Sequence, residues 1–111
     1  MSVVPKSLIK TQYASASGTT LYSVPNGTTA AIVDKFTAWN SDSTSQSISV
    51  WICNGASPDN SNLVAVRTLS SGAGADFTEL QNQVLSAGES IYVLAGAASK
   101  VAVRASGREV T

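Results

Sequence analysis

Histidine is absent from these 111 residues, and cysteine occurs once, at Cys53. The first absence removes every metal site and catalytic triad built on imidazole. The second removes an internal disulfide and fits synthesis in a reducing compartment. Charge is also scarce, at 13% of residues against about 25% in ordinary globular domains. The seven basic and seven acidic residues cancel, which leaves no basic excess to hold nucleic acid by its phosphates. No apolar run approaches the roughly 20 residues of a membrane helix. The opening Met1-Ser2-Val3-Val4-Pro5-Lys6 carries no apolar leader segment. The expectation is a soluble protein made in the cytoplasm, with neither nucleic acid nor membrane as a direct partner.

Catalytic groupings are equally thin. The carboxylates Asp34, Asp42, Asp59, Asp76, Glu79, Glu89 and Glu109 are scattered. Asp42 and Asp59 stand in turn contexts, where bonding to the local backbone accounts for them. A facing pair such as Asp34 with Glu89, which glycoside hydrolysis would need, lies in no recognisable motif. Cys53 follows Ile52 in an alternating run and reads as a small strand residue with no base to activate it. The loop Ser70-Ser71-Gly72-Ala73-Gly74 lacks the Lys-Ser/Thr and following helix of a phosphate loop. We therefore expect no enzyme activity, no cofactor and no metal.

What fills the chain instead is Ser, Thr and β-branched residues in short alternating runs. One domain is expected from the length. Residues 1–18 show no sustained period and read as an extended N-terminal arm, either frayed or ordered on a partner. Residues 19–111 read as a β-sandwich domain. Thr19–Val24 alternates, and Pro25-Asn26-Gly27 is a turn, with Pro25 placed to preset φ at the second position. Thr29–Asn40 is a long strand with Ile32, Phe36 and Ala38 on one face. Asp34 falls on that face too, which predicts a bulge or an edge there. Ile48, Val50 and Ile52 alternate with Ser49, Trp51 and Cys53, a strand with two distinct faces. Leu63–Leu69 continues the pattern. Asp76–Gln83 reads as a strand or a short helical turn. Val101, Val103 and Ala105 alternate until Gly107 interrupts. Seven or eight short strands separated by turns, with no helix and no fixed repeat, predict an all-β, jelly-roll-like antiparallel β-sandwich.

With no catalytic group in view, function falls to surfaces. Trp51 points away from the apolar triplet, so it is either covered by a loop or the arm, or exposed as an interface anchor, a role in which Trp is enriched. Trp39 ends its strand and is a second candidate. On the arm, Leu8 and Ile9 with the basic Lys6 and Lys10 complete the candidate protein contacts. The tyrosines suit a carbohydrate or a protein surface equally.

Two blocks carry a resemblance. The segment LYSVPNGTTAAIVDKFTAWNSDSTSQSISVWI and the closing VLSAGESIYVLAGAASKVAVRASGREV resemble a recurring pattern in small structural proteins of tailed bacteriophages. The likeness runs from about Thr19 to Val110. Within that group the chain looks most like head decoration proteins, also called cement or staple proteins, of the short-tailed epsilon-fifteen type. The resemblance implies a jelly-roll sandwich on the exterior of the virion capsid, bound non-covalently to the major capsid protein and paired with itself as a homodimer. It carries no catalytic residues. A head–tail, collar or tail-tip component with a glycan-binding sandwich is the alternative within the virion. A bacterial surface or carbohydrate-binding module is a more distant one.

Overall fold

The alternating runs pair into two antiparallel sheets in the computed structural model, which describes residues 2–55 and 57–111. Among those residues the strands are β1 (Val3–Tyr13), β2 (Thr19–Ser23), β3 (Ala30–Asn40), β4 (Gln46–Asn54), β5 (Leu63–Leu69), β6 (Gly74–Asp76), β7 (Val84–Ser86), β8 (Glu89–Ala95) and β9 (Val101–Val110). One sheet runs β1-β9-β3-β6, with β7 also on β3; the other runs β2-β8-β4-β5. β6 pairs with Thr37–Trp39 and β7 with Ala30–Ile32, so the two occupy one strand position, split by a 3-10 turn at Thr78–Leu80. Counted by position, the molecule is an eight-stranded jelly roll, and the sandwich expected from the sequence is what forms.

The expected N-terminal arm is corrected. Residues 3–13 lie along β9 as the edge strand of the first sheet, and the backbones of Ser2 and Thr111 bond reciprocally at 2.9 and 3.1 Å. β1 carries one extra residue at Leu8 and another between Ile9 and Gln12. These bulges break the two-residue period, turn both Leu8 and Ile9 into the core (6% and 1% exposed), and hide the strand from a pattern reading. Of the expected arm, residues 3–13 are thus part of the sandwich, and Met1 lies outside the described residues.

The bulge expected at Asp34 is present. Val33 pairs with Gly107 and Lys35 with Ser106, which leaves Asp34 between them. It reverses the facing of β3. Ala31 and Val33 point inward before it, and Phe36, Ala38 and Asn40 after it. Ile32, which the sequence placed with Phe36, therefore stands on the outer face. Gly107 does not interrupt β9 either. The strand continues to Val110, and a Cβ at Gly107 would stand 2.0 Å from the Ile32 carbonyl oxygen. Glycine is required there by close backbone approach. In the Pro25 turn, Thr28 N–H donates to the Pro25 carbonyl at 3.1 Å, so Pro25 takes the first position and Gly27, at φ 85°, the third.

Phe36, Phe77, Ile48, Val50, Leu80, Leu85, Ile91, Val93, Val101 and Val103 form the centre of the core. The Phe36 and Phe77 rings meet tilted, with centroids 5.1 Å apart. Arg67 lies over the outer side of Phe77 and is held by Glu79 at 2.5 and 3.1 Å. Buried Asn40 closes the top of the core. Its amide donates to the carbonyls of Thr44, Leu69 and Ser70, and its oxygen accepts from Asp42 N–H. One polar cluster joins the two sheets. The Tyr22 hydroxyl of β2 donates to Glu109 Oε2 of β9 at 2.5 Å, and Lys6 Nζ of β1 donates to Oε1 at 3.1 Å. The Tyr22 bond, aided by Lys6, holds the Glu109 carboxyl below the ordinary carboxylate range despite its burial. Burial, then Glu109, raises the Tyr22 phenol.

Two predictions follow from this packing. Gly107→Ala is expected to cost more than the usual range of about 1–3 kcal/mol for overpacking in urea unfolding, because the clash is with backbone in the middle of the sheet. Stability linked to Glu109 is present above its unfolded pKa of about 4.3 and is lost as pH falls through the lower folded value. Stability linked to Tyr22 is present below about 10 and is lost as pH rises toward its raised folded value. Thermal midpoints should therefore fall on both sides of a plateau at roughly pH 5–9. Tyr22→Phe should remove the alkaline fall and lower the plateau by about 1–3 kcal/mol, because a buried carboxylate oxygen loses its donor.

Candidate contact surface

The outer face of the β1-β9-β3-β6 sheet is built in rows fixed by the register. Tyr13, Ala102, Trp39 and Gly74 form one row, and Arg104, Thr37 and Asp76 align in the next. Ser7, Ser106 and Lys35 follow. Pro5, Arg108, Ile32 and Val84 then lead to Val3, Val110, Ala30 and Ser86. Four of the large hydrophobics more than half exposed, Val3, Tyr13, Trp39 and Val84, lie on this one face. They fall into two groups: Tyr13 and Trp39 lie level with Ala102 on β9, and Val84 and Val3 lie level with Arg108 and Val110, six to eight residues or about 20–26 Å along the strand at ~3.3 Å per residue. Ion pairs lie on the same face, one beside each group. Arg108 grips Asp34 through two nitrogens at 2.8–3.2 Å, and Lys35 meets Asp76 at 3.6 Å.

The two groups differ in shape. Around Val3, Val84, Ile32 and Val110 the surface is open, with Arg108 in its midst. Beside Trp39 the face is hollowed into a groove of about 410 Å³, with Trp39, Gly74 and Asp76 on one side and Thr11 and Arg104 on the other. Gly74 explains the pose of the indole. A Cβ there would stand 2.8 Å from Trp39 Cε3, so only glycine lets the ring lie against β6. The Arg104 guanidinium is oriented by Ser7 Oγ at 3.1 Å and Thr11 Oγ1 at 3.4 Å.

The residues chosen from sequence are not brought together. Leu8 and Ile9 are core residues and cannot serve as contacts, a correction that follows from the β1 bulges. Lys6 is engaged by Glu109, while Lys10 stands exposed on the edge strand. Trp39 is 53% exposed. Trp51 does face outward as the alternation indicated, but on the other sheet and half-buried. Its ring meets Tyr92 edge-on with centroids 5.7 Å apart, and its N–H donates to the Asp59 carbonyl at 3.0 Å. The 54–62 connection thus ties it down. Cys53 is buried on the same side, its thiol raised by burial and then by Asp59. Asp34 and Glu89 are engaged elsewhere, with Arg108 and with the Ser86 amide. Among the described residues no three His, Cys, Asp or Glu side chains gather as a metal site would require. Sequence reasoning missed Val3, Val84 and Arg104, and placed Tyr13 only among the tyrosines that suit a carbohydrate or a protein surface. The period-two run through β9 held the signal for Arg104; the bulged β1 and the three-residue β7 held none for the others.

No family model matches the chain, and no curated protein matches it. Among solved structures it is similar to a chain from Bacillus endospore appendages, described as a family of disulfide-linked pili. The TM-score is 0.61 at 14% identity, over 98% of this chain and 88% of that one. At that identity the likeness is one of fold.

The two tryptophans should separate in a stability measurement. Trp39→Ala is expected to change unfolding free energy by less than about 1 kcal/mol, as exposed sites do. Trp51→Ala, which also removes a hydrogen bond and an aromatic partner, should cost about 3 kcal/mol.

Proposed function

We propose that the chain is a non-enzymatic structural protein of a phage particle, which decorates the exterior of the icosahedral head and staples neighbouring major capsid protein subunits. The phage-like pattern of residues 19–110 supplies the setting. The observation that carries the seat is the open apolar surface of Val3, Val84, Ile32 and Val110 around Arg108. Exposed apolar residues gathered on one sheet face fit a partner protein better than solvent, and Arg within such a surface is typical of interfaces. This seat differs from the tryptophans and arm residues first considered. A shell under DNA pressure gains from many weak seams at once, so a modest contact repeated over the lattice adds up to a large stabilisation. Pairing of the protein with itself would double the seats per unit.

Particles assembled with Val84→Asp or Val3→Asp protein should bind at least tenfold less of it at limiting concentration, equivalent to a loss of about 1.4 kcal/mol. Wild-type occupancy of both variants would refute the seat. Stoichiometry tests the setting: hundreds of copies per particle fit decoration, and about a dozen point to a head–tail, collar or tail-tip position.

The fold likeness to an appendage subunit favours a second reading, a subunit of a filament. Cys53 is the sole thiol and is buried, so such a filament would be non-covalent. Negative-stain micrographs of the concentrated protein separate the two, since only the second reading expects fibres.

A further inference from the structure

The groove beside Trp39 reaches Arg104 on β9, four residues or about 13 Å (at ~3.3 Å per residue) from Arg108 of the seat, and its chemistry points to a different partner. A flat apolar patch suits a protein, whereas a concave site with one aromatic wall and a few polar groups suits a small ligand or a single residue of a polymer. Here the wall is an indole, 53% exposed and held flat by Gly74. Opposite it Arg104 offers donors that Ser7 and Thr11 have already oriented. Asp76 offers acceptors, and the hydroxyls of Thr11 and Thr37 can act as either.

A ligand for this groove needs an apolar face for the indole and, around its rim, groups that donate and accept at once. Hydroxyl groups on a saturated ring meet both demands. A purely anionic ligand would face Asp76, and a purely cationic one would face Arg104 with Lys35 close behind, 3.6 Å from Asp76. We infer that the Trp39–Arg104 groove is a binding site for a neutral sugar unit of a glycan, stacked on the indole and bonded by Arg104, Asp76 and the two threonines. The site goes beyond the capsid seat.

The test is a binding screen of the intact protein on an array of neutral glycans built from hexose, deoxyhexose and N-acetylhexosamine units, with acidic glycans and unrelated peptides alongside. Hits are titrated by NMR. The site is supported if at least one neutral glycan binds, if Trp39→Ala and Arg104→Ala each weaken it tenfold or more, and if Trp39→Phe retains part of the affinity while Trp51→Phe retains all of it. It is overturned if no neutral glycan binds at millimolar concentration, if binding survives Trp39→Ala, or if only acidic glycans or peptides bind. Capsid occupancy of Trp39→Ala is the independent readout. It should equal wild type, and its loss would assign the groove to the shell contact instead.

Discussion

One extra residue in β3 governs which side chains this protein shows to its surroundings. Two strands that pair without a break keep every second residue on the same face, so a core that begins at Ala31 and Val33 would continue through Lys35, Thr37 and Trp39. The bulge at Asp34 shifts that series by one. Phe36, Ala38 and Asn40 turn inward, Trp39 turns out, and Asp34 is left to pair with Arg108 on the outer face. The shift is possible because β9 carries Gly107 opposite, where the β3 backbone comes too close for any side chain. Bulge and glycine form one device. It places the large aromatic ring in the core at Phe36 and the exposed one at Trp39.

The edges of the sheets constrain how such a molecule can meet others. An unbroken edge strand invites another strand to add to it. Here every edge is interrupted. β1 is bulged twice and carries Pro5, β2 is bulged at Leu21, and β5 has an extra residue at Val64. The remaining edge is cut into β6 and β7 by the 3-10 turn. Strand addition, which an extended arm would have offered, is therefore poorly supported. Contact falls to the sheet faces, and of the two outer faces only one leaves its aromatic residue free. On the other, Trp51 and Tyr92 are packed on each other and tied to the chain around Asp59 and Gly18.

Much of this was legible in the sequence where a strand obeys a strict period. The Pro25-Asn26-Gly27 turn, the two faces of β4, the inward series Val101, Val103 and Ala105, and the conflict at Asp34 could all be read from residue order. What escaped reading broke the period or depended on distant partners. β1 looked like a loose arm because bulges put Leu8 and Ile9 on the same side. Glu109 occupies a core position and looks misplaced until Tyr22, 87 residues away in the chain, supplies its donor. Trp51 was correctly placed on the outer face, but the hydrogen bond that pins it comes from a connection with no period to read. The Trp39 groove depends on Gly74 and Arg104, residues on two strands that sequence order keeps apart.

The same physics separates support from function in this fold. The Tyr22–Glu109–Lys6 cluster, the Asn40 amide and the Arg67–Glu79 pair each satisfy a polar group at a seam between elements. Each has its partners within the chain and needs nothing from outside. Val3, Val84, Tyr13 and Trp39 are the reverse: their apolar surface has no covering element, on a molecule that buries its other aromatic rings at least in part. Such exposure brings no folding stability, and on the reading proposed above an external partner covers it. On that reading the open end would meet a protein surface, and the hollow end would take a ring between an indole and a guanidinium.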